Sequence, residues 1–263
     1  MHRLAVAVLA VTALVPGSLA AQQRHLLRLR PPQGQVTRYR VQMEMWMSGE
    51  AMAAVMDTSQ PMVRMDVALT RTITAVVADT ITSQEAFDSV AMDFPAMPQM
   101  AAMSGQVSEM MRGMVSEERT TTRGRVLSQR IVSMSPAMQQ MGGMGGQMGG
   151  TGNNEMAILF PERPVGVGET WTDSATIPTD AGELRIVGTY RLERMVGTVA
   201  HLSFTGTMRS GTPQAPATLQ TSGQFAVDVG SGVMHAMSMT AGGSVAAQGM
   251  EMPMRMRISM NKI

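Results

Sequence analysis

From Met250 onward every second residue is apolar: Met250, Met252, Met254, Met256, Ile258 and Met260 alternate with Glu251, Pro253, Arg255, Arg257, Ser259 and Asn261. A period of two places all the apolar side chains on one face of an extended chain, so this segment reads as a half-buried β-strand rather than a helix. Pro253 lacks an amide donor, which suits a strand start or edge and suggests that regular pairing begins only after it. The same alternation recurs near the N-terminus, where Tyr39, Val41, Met43, Met45 and Met47 oppose Arg38, Arg40, Gln42 and Glu44. It appears again in Val63, Met65, Val67, Leu69, Ile73 and Val77, a long strand with a bulge expected near Arg71, where a charge interrupts the apolar face. Leu184, Ile186, Tyr190 and Leu192, then Leu202, Phe204 and Met208 beyond the turn at Val196-Gly197, predict a hairpin. Further strands are expected over 119–133, 217–229 and 233–246.

One stretch has a different period. Met100, Met103, Val107, Met110, Met111 and Met114 fall three and four residues apart, which predicts an amphipathic helix over 97–118, weakened by Gly105 and Gly113. Between Ser135 and Asn154 the composition turns to Met, Gln and Gly, including Met141-Gly142-Gly143-Met144-Gly145-Gly146, the pattern of a low-complexity linker. The expected organisation is therefore a β-rich half over 21–134, a linker over 135–156 and a second β-rich half over 157–263. Gly124-Arg125-Val126 and Gly232-Val233 enter strands in similar ways, and the two halves look like an old duplication. Either half alone would leave an apolar sheet face uncovered, so the fold class is mainly β: one curved antiparallel sheet or half-barrel, with the helix against its concave side.

The first residues carry an address. His2 and Arg3 precede an apolar run from Leu4 to Val15, then Pro16-Gly17-Ser18-Leu19-Ala20, and this order predicts a signal peptide over 1–20 with cleavage after Ala20. A periplasmic or secreted protein is expected. The chain has no Cys, which removes disulfides, thiolate chemistry and a lipid-bearing cysteine. Net charge is +1, and the basic residues are nearly all scattered Arg, with Lys262 the single Lys, so nucleic acid is not an expected partner. Past the signal no apolar run reaches the roughly 20 residues of a membrane-crossing helix, and no transmembrane anchor is expected.

Phe160-Pro161-Glu162-Arg163-Pro164-Val165-Gly166-Val167-Gly168-Glu169-Thr170-Trp171 follows the linker. The chain resembles an uncharacterised family of exported bacterial proteins marked by a Pro-Val-x-x-Gly-x-x-Trp signature between two β-rich halves. That resemblance implies an exported all-β protein and carries no activity with it. Physically, Pro161 and Pro164 favour an extended entry, Gly166 and Gly168 a tight turn, and Trp171 a plug at the start of the next strand.

Composition sets the character of any site. With 31 Met and only 3% aromatic residues, much of the apolar volume comes from flexible thioethers, which adapt to irregular neighbours. Met also ligates soft cations, and Met138, Met141, Met144 and Met148 in the Gly-rich stretch form a candidate Cu(I) or Ag(I) site. Met at period two opposite charge, by contrast, occupies positions any strand fills with Val or Leu. His201 and His235 lack zinc-ligand spacing, and no nucleophile elbow, phosphate loop or His-assisted nucleophile is present in the sequence, so neither enzyme activity nor a resident cofactor is expected. The expected function is non-enzymatic binding of a hydrophobic ligand or lipid, in an architecture broadly like the half-barrel lipoprotein carriers, with Met43, Met45, Met254 and Met256 lining the cavity and Trp171 at its rim. The alternatives are an envelope protein acting through protein partners and the soft-metal reading.

Overall fold

The computed structural model describes residues 23–49, 53–54, 56–134, 158–179, 182–210, 217–247 and 250–263. Residues 1–20, expected as a signal peptide, and the whole of the expected linker over 135–156 lie outside these residues. Among the described residues eleven strands form a single antiparallel sheet that does not close into a barrel. In chain order they are β2 (Val36–Met47), β3 (Val63–Val77), β4 (Thr80–Asp93), β5 (Val115–Thr121), β6 (Val126–Ser133), β8 (Thr170–Thr179), β9 (Gly182–Val196), β10 (Val199–Ser210), β11 (Ala217–Asp228), β12 (Val233–Ala247) and β13 (Met250–Lys262). Two short strands, β1 (Arg24–His25) and β7 (Val165–Gly166), pair with each other.

Two meanders make up the large sheet. One runs β2 to β6, the other β8 to β13, and β13 lies beside β2, so the spatial order is β6-β5-β4-β3-β2-β13-β12-β11-β10-β9-β8. The seam between them is set by Met47↔Met254, Met45↔Met256 and Met43↔Ile258. Facing residues share a sheet face, so the alternating apolar residues of β2 and β13 fall in line and their charged residues meet on the other side. On that outer face Arg40 chelates Asp66, Glu44 meets Arg64 and Arg257, and the Arg255 guanidinium lies 4.4 Å from the Trp46 ring centre. Pro253 pairs with Ser244 and sits one residue before pairing to β2 begins, so the strand starts at Met250 and not after the proline.

The helix is shorter than its Met spacing suggests and is placed differently. After a single 3-10 turn (Pro98–Met100), α1 spans Ala101–Met111 and ends where Gly113 takes a left-handed φ of 76°. The chain then enters β5. Pairing between β4 and β5 extends only to Ala86↔Val115, which leaves the rest of β4 with an open edge. The α1 segment and its exit cover that edge: the Met92 amide donates to Ser108 Oγ at 3.2 Å, Phe87 N to Met114 O at 3.0 Å, and Gly113 N to Phe87 O at 2.9 Å. A helix along the strand satisfies amides that an exposed edge would leave bare.

Two chain segments instead cover the inner side of the sheet. Leu27, Ile158, Leu159, Phe160 and Val165 are among its most buried residues. Leu29 N donates to Thr122 O and Phe160 N to Arg123 O, which ties both segments to the β5–β6 turn. Arg123 in that turn also reaches Asp173 on β8 at 2.9 Å, although β5–β6 and β8 stand at opposite ends of the strand order. The sheet therefore curls through most of a barrel, and residues 158–163 bridge the gap. Gly124 makes the bridge possible: its φ is 87°, and a Cβ there would lie 2.0 Å from the Ile158 carbonyl oxygen.

Two further departures from the expected elements share one cause. The segment expected as one strand over 119–133 is two, β5 and β6, folded at Gly124, and β4 has no clear alternating signature at all. Its inner face reads Ile81, Ser83, Glu85, Phe87, and a bulge at Asp88 shifts the pattern before Val90 and Met92. Polar residues on an inner face erase the period-two signal.

A cavity walled by a buried charge cluster

The inner faces of the two meanders are filled in different ways. Across β8–β11, Trp171, Tyr190, Phe204 and Phe225 form an aromatic chain, with centroid distances of 5.5, 4.9 and 6.2 Å. The Phe204 ring lies over the backbone of Gly188 and Gly206, where Cβ atoms would stand 2.0 and 2.8 Å from it. Glycine on these two strands is what admits a flat ring against the sheet. Trp171 is 7% exposed, and its Nε1 donates to the Leu159 carbonyl at 2.7 Å. Its place is the plug under residues 158–160. Tyr190 stacks on it, and burial pushes the Tyr190 phenol up to about 12.

Across β3–β5 the inner face is polar. Arg71 lies opposite Glu85, and Ser83 opposite Glu118. The Arg71 guanidinium stands 3.8 Å from Glu85 and 3.7 Å from Glu118, and the three side chains are 22%, 14% and 13% exposed. Burial of the carboxylate, reinforced by Glu85 and opposed by Arg71, pushes Glu118 up to about 7. The order of causes matters: one guanidinium at this distance does not offset the cost of removing two carboxylates from water. Three buried polar atoms of the same face, Arg71 Nε, Ser83 Oγ and Thr120 Oγ1, have no hydrogen-bond partner among the described residues. Native interiors rarely leave such atoms unpaired.

This cluster forms one wall of a cavity of about 140 Å³. The opposite walls are apolar: Leu29 and Phe160 from the covering segments, Val41 and Leu69 from the first meander, Val227, Met237 and Met260 from the second. Tyr39 lies between wall and cluster, with burial raising its phenol above the ordinary range against the pull of Arg71. Of the residues singled out in the sequence, Met43, Met45, Met254 and Met256 share the same sheet face on adjacent strands β2 and β13, as their periodicity implies. None of these four lines the cavity, whose methionines are Met234, Met237 and Met260, and Trp171 sits in the aromatic half and not at the cavity rim. The charge cluster escaped the sequence reading because Glu85 and Glu118 look like ordinary outward-facing strand residues. Arg71 alone gave a signal, as a charge in an apolar series.

No group of three or more His, Asp or Glu residues able to hold a metal ion is present among the described residues. The Met138, Met141, Met144 and Met148 series lies outside them. No helix among them is long and apolar enough to cross a membrane.

Residues 146–261 match a family of unknown function, DUF6263. The matched stretch takes in β7 to β13, hence the aromatic chain and the apolar wall formed by Val227, Met237 and Met260. Arg71, Glu85, Glu118 and Thr120 precede the DUF6263 stretch, so the polar wall belongs to the other meander. No curated protein matches the chain.

Proposed function

We propose that the protein is an exported, non-enzymatic envelope protein that carries or senses a small hydrophobic ligand or lipid in the half-barrel. The observation that carries this reading is a cavity between apolar walls in a core otherwise closed by aromatic rings, with adaptable Met237 and Met260 beside it. Arginine side chains add to the backbone hydrogen bonds that hold the covering segments over the cavity. Arg28 donates to the carbonyls of Leu27 and Pro161, and Arg123 to that of Phe160. The N-terminal address supports a periplasmic or secreted location. The comparison with half-barrel lipoprotein carriers is an analogy of architecture.

Native mass spectrometry of protein exported by its own leader tests the reading. A co-purifying organic mass that leaves on denaturation supports it. A bare chain that also fails to take up added apolar probes overturns it. A second reading, docking of a protein partner, has its own observation: β6 ends the strand order, and Leu127 and Val132 on it are 50% and 41% exposed.

A further inference from the structure

We propose that the cavity selects ligands that carry a cationic nitrogen, an amine or ammonium group, on an apolar body, with the nitrogen held between Glu85, Glu118 and the Thr120 hydroxyl. The inference rests on the hydrophobic-ligand reading and names the class of ligand. Among the residues lining the cavity the charged side chains are Arg71, Glu85 and Glu118, one cation against two anions. Among the described residues that line the cavity, β2 contributes Tyr39 as the titratable neighbour, and the covering segments, β6 and β11–β13 contribute no charged side chain. A buried site with one carboxylate in excess attracts a positive charge, and the low dielectric around it strengthens the attraction.

A second observation is independent of charge. Thr120 is 5% exposed, its Oγ1 has no partner among the described residues, and it lines the cavity beside Glu118. Its hydroxyl can accept a hydrogen bond from an ammonium that also donates to the carboxylates. The apolar walls would cover the rest of the molecule. An anionic head would meet two carboxylates, and a neutral one would leave the excess charge where it is. The raised titration of Glu118 fits this view: burial and the neighbouring Glu85 carboxylate disfavour its charged form, and a cation beside it would favour that form.

Calorimetric titration with n-octylamine, n-octanol and octanoate, which share one chain length, tests the proposal at about pH 8, where octylamine is protonated and Glu118 is ionised. The expected order is octylammonium tightest, by about tenfold or more over octanol, with octanoate weakest. Glu118→Gln should reduce the preference for the amine while octanol binding persists, and Glu117→Gln, on the outer face beside Arg130, should leave it unchanged. In the wild type the preference should fade as pH falls below about 7. Equal affinity for octanol and octylamine, tighter binding of octanoate, or an undiminished preference in Glu118→Gln overturns the cationic assignment alone. Failure of all three probes to bind overturns the hydrophobic-ligand reading with it.

Discussion

The two meanders present inner faces of the same geometry and opposite chemistry. Across β8–β11 the space is closed by Trp171, Tyr190, Phe204 and Phe225, with Phe204 pressed onto Gly188 and Gly206. Across β3–β5 the corresponding space is left partly open and is walled by Arg71, Glu85, Glu118 and Thr120. Tight packing of rings gives stability and leaves no room. Buried charge with unpaired hydroxyls costs stability, and its retention beside a cavity points to use. On the proposed reading the first meander supplies the polar wall of the site, while the aromatic chain of the second closes the rest of the core.

The sharpest way to break that division is Phe204→Ala. It removes the centre of the aromatic chain and leaves two glycines facing a void, and urea unfolding should show a loss of about 3–5 kcal/mol. A loss near zero would mean that the second meander does not carry the core. Next in size is Gly124→Ala. The new Cβ would combine a left-handed φ with contact on the Ile158 carbonyl, so a loss of about 2 kcal/mol is expected, together with faster proteolysis near residues 158–163.

Glu118→Gln should act in the opposite sense. Its folded value of about 7 lies above the ordinary 4.5, so the folded state binds the proton more tightly than the unfolded chain. The contribution of Glu118 to stability is therefore fully present below about pH 4.5 and is lost as pH rises to about 7. Each pKa unit corresponds to about 1.4 kcal/mol. The Gln variant should lose the slope in that window and gain about 1–2 kcal/mol over wild type above pH 7, read from denaturation midpoints across pH. An unchanged slope would place the titration elsewhere. The smallest effect belongs to Ala78, the non-glycine residue with positive φ (52°) in the β3–β4 turn. Ala78→Gly should stabilise by about 1 kcal/mol with no change in ligand affinity, since the turn lies outside the cavity lining.

The strands legible in the sequence were those whose inner face is uniformly apolar. β2, β3, the β9–β10 hairpin and β13 match the alternation, and β3 bulges at Thr74, three residues beyond Arg71, while the shift at Ala68/Leu69 puts its extra residue, Asp88, on β4. β4 was invisible for the reason that makes it interesting: Ser83 and Glu85 face inward and erase the pattern. The helix lost its last third because Gly113 turns the chain at a point where Met114 still keeps helical spacing. The apolar lining was legible as a face but not as a place. Periodicity puts Met43, Met45, Met254 and Met256 on the inner side, whereas only the strand order and the covering segments decide that the opening falls beside Met237 and Met260. Glu85 and Glu118 lie 33 residues apart in numbering, and nothing local marks them as partners.

The most direct test of the central division is n-octanol binding followed by calorimetry in wild type and in Val126→Trp, whose indole would fill the cavity from β6 while leaving the aromatic chain untouched. A saturable wild-type site that disappears in the variant, with unfolding midpoints unchanged, is the predicted result. Binding that survives in Val126→Trp would place the ligand elsewhere and contradict the assignment of the first meander as the binding arm.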